Sequence, residues 1–557
     1  MSRKMVSTCV LTLVVCAAAT ATAQSFRVQC PASTITHPNA DNNAEPPYAG
    51  ATTYSATPGP NGYVTATGNI NGAIKCQQIS GGDGYATMGD GTQTYMFSFG
   101  PLSGLADIAA GKPGTEFPSV FNMPYGGLVP LKPGDPATSD PGLGTETAPT
   151  FTYNGAVGLA PDTDCLGENA AAVLAGTTPL PCPGLPPSGI DGHVDPRPIM
   201  DVAVMNGNIP APLIAIDEDD ELFLTLTNVG MIMRPDLFEQ HTVHFHGYPN
   251  ASAFYDGVPD ASVAINIGGS FTYYYLAPDA GTYFWHCHIT PPEHLQMGMV
   301  GQLYVRPRQN RVPVGTSLYS ALLKQNGIGL TALSPKDLRT VCRPAVDIVC
   351  TTNMPVGGAA ANSATRAATG NYAYNDGDGS TYYDVEYPLQ IHGFDPNFHF
   401  VGMTFNPEGF ADMKDKYFLL NGRSYPDTVI PGPLQTMSSD GSNHFSQPLP
   451  SIINIPHNGR ALLRISDLDV SEYQTLASLG IRMQVIGYNA KLLRDQDGNN
   501  MYYTTNSITL GGGESLDVIL DANGVPAGTY YLYTPNLDHL SNDAENFGGL
   551  MTEVHVN

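Results

Sequence analysis

Two stretches of this 557-residue chain repeat each other, and that repeat restricts the fold more than any other feature. Gly281-Thr-Tyr-Phe-Trp is matched by Gly528-Thr-Tyr-Tyr-Leu, and Gly268-Gly-Ser-Phe by Gly512-Gly-Glu-Ser. Glu221-Leu-Phe-Leu-Thr-Leu-Thr is matched by Ala461-Leu-Leu-Arg-Ile-Ser-Asp, and Met205-Asn-Gly-Asn-Ile-Pro by Leu420-Asn-Gly-Arg-Ser-Tyr-Pro. The segments are short, mostly β-branched and aromatic, and bounded by turn formers, which reads as strands of an antiparallel sandwich. Self-similarity of this kind predicts two copies of one sandwich. Thr94-Tyr-Met-Phe-Ser-Phe is read as the counterpart of Tyr387-Pro-Leu-Gln-Ile-His, which leaves the first copy with a long insertion at about 101–195.

Superposing the copies separates scaffold from chemistry. The first copy holds His241-Thr-Val-His244-Phe-His246-Gly247 and His286-Cys287-His288, followed by His294 and Met299. Six of the fourteen histidines lie in these motifs. With Gly247 on Gly480, the second copy offers Gln474, Ala477 and Leu479 opposite His241, His244 and His246. It offers Tyr533, Thr534 and Pro535 opposite the His-Cys-His, and Leu550 opposite Met299, while His539 falls near the His294 position. Residues two apart on a strand share a face. His244 pairs with His246, and His286 with His288, whereas Cys287 points the other way. His241 is an odd step from His244 and can turn to the Cys287 side. A thiolate, two imidazoles and a weak thioether are the ligands of a blue-copper electron-transfer site, and further imidazoles suit additional copper.

These motifs, His-x-x-His-x-His-Gly and His-Cys-His…His-x4-Met, resemble those of the multicopper oxidases, the laccase-like cupredoxin proteins. The resemblance implies an all-β fold of tandem cupredoxin-like Greek-key sandwiches, with copper as cofactor. It implies a type 1 copper on His241, Cys287, His294 and Met299, and a type 2/type 3 cluster on His244, His246, His286 and His288. His286, Cys287 and His288 would be the catalytic conduit between them. Electrons from a small-molecule or metal-ion reductant would reach oxygen at the cluster. Two departures stand out. The loop is Cys-x6-His where laccase-like enzymes have Cys-x4-His, and a complete cluster needs eight histidines where four stand in motif context. Either the missing four come from another chain, in a homo-oligomer or a hetero-complex, or the cluster is incomplete. Alternatives are a nitrite reductase-like enzyme with an interfacial type 2 copper, to which His392 or His399 could contribute, and an electron carrier holding type 1 copper alone.

The rest of the chain reads as follows. Residues 1–23 look like a secretory signal, with Arg3 and Lys4 before an apolar run and Ala21-Thr-Ala23 at the cleavage site. This predicts a periplasmic or extracellular protein. No later run is long enough to span a membrane. Of nine cysteines, six remain once Cys9, Cys16 and Cys287 are set aside, an even number that reads as three disulfides in an exported protein. Proximity favours Cys30–Cys76, Cys165–Cys182 and Cys342–Cys350, although fifteen connectivities are open. The formal charge of −26 disfavours nucleic acid and would steer cations or a basic redox partner. The expected divisions are a loop-rich region at 24–90, a copper-binding domain at 91–307, a linker with a short helix at 308–384 and a second, ligand-free domain at 385–557. The acidic run Asp217 to Glu221 is expected to be a solvated turn, and Trp285 a core residue.

Overall fold

The computed structural model describes most of residues 72–121, 208–311 and 371–557, with a few positions upstream of 72. The signal-like segment, most of the long insertion, and Cys165, Cys182, Cys342 and Cys350 lie outside the described residues. The protein is all-β, built as two sandwiches.

The first sandwich has one sheet of β1 (Ile74–Thr87), β2 (Gln93–Pro101), β4 (Glu221–Gly230) and β6 (Ser270–Leu276), in the order β2-β1-β4-β6. Its other sheet has β3 (Ile214–Asp217), β5 (His244–Phe245), β7 (Gly281–His286) and β8 (Val300–Arg306), in the order β3-β8-β7-β5. Alternation along β4 explains the layering. Leu222, Leu224 and Leu226 enter the core. Thr225 and Thr227 face the other way, each hydrogen-bonded across the ladder at 2.8 Å, to Thr272 and Ser270. The same core takes Tyr283, Trp285 and Cys287 from alternate positions of the β7 strand and its extension, together with Met297 and Met299.

The second sandwich repeats the plan with β9 (Val385–Phe394), β10 (Tyr417–Leu420), β11 (Ile453–Ile455), β12 (Arg460–Asp467), β13 (Gln474–Leu479), β14 (Met483–Tyr488), β15 (Ser507–Leu510), β16 (Glu514–Asp521), β17 (Gly528–Tyr533) and β18 (Met551–Val556). Its larger sheet runs β10-β9-β12-β16-β14 and its smaller one β11-β18-β17-β13-β15.

The topology corrects one correspondence. β9 pairs parallel to β12 and antiparallel to β10, as β1 pairs parallel to β4 and antiparallel to β2. The counterpart of Tyr387-Pro-Leu-Gln-Ile-His is therefore Ile74–Thr87, not the Thr94 strand, which matches Tyr417–Leu420. A long strand lies inside the segment read as loop-rich, because Ser80-Gly-Gly-Asp-Gly has turn composition while Gly81 and Gly82 make room for neighbours. Gly82, for example, would set a Cβ 2.9 Å from Val229. Cys30 and Cys76 form the expected disulfide. The acidic run is not solvated: Asp217 to Glu221 are all buried. Glu218 accepts the Arg308 N–H at 2.7 Å, Asp219 pairs with the Arg308 guanidinium, and Asp220 with Lys75 at 3.2 Å. Carboxylates can be buried only when paired in this way.

The halves dock through an apolar seam. Met88, Met96, Phe284 and Val300 of the first pack with Phe394, Tyr417, Leu419 and Leu468 of the second. Beside the seam, Glu386 joins Arg306 of the first half (2.7 Å) to Arg464 of the second (3.0 Å).

Candidate metal centre

Cys287 follows β7 directly and points into the first core, as strand alternation requires. Its sulfur is wholly buried and faces two imidazoles, His294 Nδ1 at 3.2 Å and His241 Nδ1 at 3.9 Å. The Thr242 N–H donates to it at 3.4 Å. One donor atom from each of Cys287, His241 and His294 fits within a 4.8 Å span. Burial alone would push the Cys287 thiol up, but His294 and His241 outweigh it and hold the thiol well below its usual range. Burial would likewise lower His294, but the Cys287 charge and the Glu239 carboxylate, 3.4 Å from Nε2, raise it to about 10. A thiolate facing an imidazolium proton is a site in which a cation can take the proton's place, as soft metal binding demands.

The loop after Cys287 holds the short helix α1 (Pro291–Gln296), with His294 on its buried side. Gly298 has φ +112°, and a Cβ there would meet Met96 at 2.6 Å, so only glycine makes the turn that returns the chain to Met299. The Cys287 N–H bonds the Met299 carbonyl at 3.2 Å, and both side chains belong to the same apolar cluster.

On the other side of the strand, β5 pairs with β7 so that His244 stands opposite His286. Donor atoms of His244, His246 and His286 also fit within 4.8 Å. The His288 ring lies 4.9 Å from that of His244. His244 Nδ1–H donates to the Asp256 carbonyl at 2.7 Å, and His286 Nδ1–H to the Cys287 carbonyl at 2.6 Å. A carbonyl only accepts, so both rings keep Nε2 as the free lone pair, and the His286 Nε2 stands 2.9 Å from that of His246. Burial and the neighbouring imidazoles lower His246 to about 4 and His286 to about 3. Both are neutral at neutral pH, the form that ligates metal. Of the residues singled out in the sequence, the structure brings His241, Cys287 and His294 together on one side and His244, His246 and His286 on the other, while His288 lies beside the second group without joining it. Among the described residues these two are the groups of three or more His, Cys, Asp or Glu donors that converge in this way.

The second half keeps the scaffold without the donors. Ala477 stands opposite Tyr533 as His244 stands opposite His286, and the Thr534 N–H bonds the Leu550 carbonyl as Cys287 bonds that of Met299. His539 occupies the His294 position, hydrogen-bonded to Gln474 and Glu472 at 2.9 Å. His392 and His399 are buried between the halves of this one chain, where His399 bonds the Gln296 carbonyl at 2.9 Å.

Several contributors carry no ligand signature and went unread in the sequence. Gly81 is one: a Cβ there would lie 2.5 Å from the His241 ring. Glu239, Asp256 and Gln296 are others. A cleft of about 570 Å³ opens beside the cluster, with His246, His286 and Pro291 on one wall and Asp469, Glu472 and Glu514 of the second half on the other.

The family model described as multicopper oxidase matches residues 191–310. This segment is similar to multicopper oxidase domains. A multicopper oxidase of Talaromyces pinophilus is 34% identical over 122 residues, 22% of this chain and 19% of that one. A laccase of Aspergillus fumigatus is 35% identical over 109 residues, 19% of this chain and 17% of that one. The chain thus spans less than a fifth of the length of these curated relatives. Among solved structures, a blue copper oxidase from Nitrosomonas europaea is similar at 21% identity and a TM-score of 0.40, over 63% of this chain and 78% of that one. A copper nitrite reductase from the same organism gives 15% identity and a TM-score of 0.35, over 63% and 85%.

Proposed function

We propose that the protein is an exported copper oxidoreductase of multicopper oxidase type, taking electrons from a reductant at a type 1 site and using them at a second copper site to reduce oxygen. The reading rests on one observation: a single strand end carries Cys287 toward one donor group and its neighbours His286 and His288 toward the other. Bound copper would supply one-electron exchange at Cys287 and oxygen reduction at the histidines. His241, Cys287, His294 and Met299 would hold the first ion in a dry apolar core, which favours a soft thiolate–metal bond. Cys287 links the sites covalently through its own backbone. Asp256 and the Cys287 carbonyl fix the tautomers of His244 and His286, so that both present Nε2. The signal-like N-terminus and the Cys30–Cys76 disulfide suit an oxidising compartment outside the cytoplasm. Among the described residues no helix is long and apolar enough to cross a membrane.

Among the described residues the second half contributes no histidine to the cluster, which favours completion of the second site by a further polypeptide, either another copy or a different subunit. The test is copper content, visible spectrum and EPR on the protein in its native assembly, with oxygen uptake under a series of donors. A blue band with further copper and oxygen consumption is expected. One blue copper per chain without turnover would leave an electron carrier. Two coppers, one of them a mononuclear type 2 ion, would indicate nitrite reductase-like chemistry.

A further inference from the structure

A donor cannot touch His294 of the first site directly. Its side chain is 0% exposed and its Nε2 is covered by Glu239. A file of aromatic rings does lead outward. Phe97 stands edge-on to His294 with ring centroids 5.3 Å apart, Tyr95 edge-on to Phe97 at 6.1 Å, and Tyr85 edge-on to Tyr95 at 5.9 Å. Tyr95 and Phe97 are buried and Tyr85 is partly exposed. Register places the file: Tyr85 is the direct β1 partner of Tyr95, which shares a face of β2 with Phe97. The Phe97 N–H bonds the Met297 carbonyl at 2.9 Å, tying the inner end to the ligand loop.

Tyr95 also has a base. Its hydroxyl donates to the Asp83 carboxylate at 2.8 Å, and both groups are buried. Burial and the Asp83 charge raise the phenol far above its usual range, so it does not ionise by itself. A phenol with a carboxylate at hydrogen-bond distance can instead lose its proton together with an electron.

We propose that Tyr95 is a redox relay carrying electrons from a donor docked at Tyr85 to His294, with its proton moving to Asp83 and back. This rests on the copper reading. One electron leaves Tyr95 and reduces a cupric ion at the Cys287 site. The phenolic O–H bond breaks, an O–H bond forms on Asp83, and a neutral tyrosyl radical remains. An electron from the donor, crossing the Tyr85 ring, reduces the radical, and the proton returns from Asp83. The net change is one electron from donor to copper. Phe97 acts as a bridge and is not oxidised. Tunnelling falls exponentially with distance, so two short hops outrun one long one.

The test is stopped-flow bleaching of the blue band in copper-loaded protein by reduced cytochrome c, a basic donor too bulky to reach His294. Tyr95→Phe and Tyr85→Ala are each expected to slow bleaching about tenfold or more, equivalent to at least about 1.4 kcal/mol of barrier, with band position and midpoint potential unchanged. A second readout needs no copper. One-electron photo-oxidation of the metal-free protein is expected to give a tyrosyl EPR signal that Tyr95→Phe removes and Asp83→Asn weakens. Equal bleaching rates in all three proteins, or a radical signal untouched by Tyr95→Phe, would overturn the relay. Absence of any blue band in the parent protein would overturn the copper reading instead, and the photo-oxidation result would still decide the relay.

Discussion

At the scale of single residues, the first site depends on an atom that is missing. Gly81 sits against the His241 ring, and a methyl there would overlap it at 2.5 Å. Gly81 has no positive φ, so alanine strains the ligand and not the backbone. Gly81→Ala is expected to weaken copper binding about 10–100-fold and to shift the blue band, with far-UV circular dichroism unchanged, as measured by copper titration. The histidines and cysteine that converge here were legible in the sequence, because metal spacing on a strand is local. Gly81 was not: it lies 160 positions from His241 and reads as loop glycine. The degenerate site in the second half was also legible and invites a constructive experiment. Gln474→His with Thr534→Cys and Leu550→Met, beside the resident His539, is expected to bind one more copper per chain and strengthen the blue absorption. Unchanged copper stoichiometry would show that scaffold position alone does not make a site.

At the scale of elements, α1 carries His294 on a loop that the other half of the chain grips. The Gln296 side chain donates to Asp415 at 2.9 Å and accepts the Asp395 N–H at 2.9 Å, while its carbonyl accepts from His399. Gln296→Ala leaves a buried N–H and a buried carboxylate short of a partner, an expected loss of about 1–3 kcal/mol in denaturant unfolding. A heterogeneous type 1 EPR signal is expected with it, as the ligand loop loses its anchor. None of this shows in the sequence, where Gln296 is one polar residue in a six-residue helix and its partners lie about 100 positions downstream. The strands were legible where apolar and polar residues alternate, as in β4 and β7. They were hidden where glycine breaks the pattern, as in β1, and that shifted the pairing of the first strand between the two copies.

At the scale of the whole molecule, the docking of the halves has its own pH dependence. Burial would raise the Glu386 carboxyl, but Arg306 and Arg464 bring it down to about 2. A folded value below the ordinary carboxyl value means that this contribution is fully present above about pH 4.5 and is lost as the pH falls toward 2. Glu386→Gln leaves two guanidinium groups short of a partner at the seam. It is expected to cost about 3–5 kcal/mol near neutral pH and to flatten the acid limb between about pH 4.5 and 2, read by thermal unfolding across that range. An unchanged acid limb would place the sensitivity in other carboxylates.

The Gln296 grip has a consequence for assembly. Asp395, His399 and Asp415 hold the loop that carries His294, so the copper ligands and the contact between halves are expected to answer to one another. The first site then behaves as a conditional lock, closing on its ion with full affinity only after the second sandwich has folded and seated. A newly made chain would remain a poor copper acceptor until its last strands were in place.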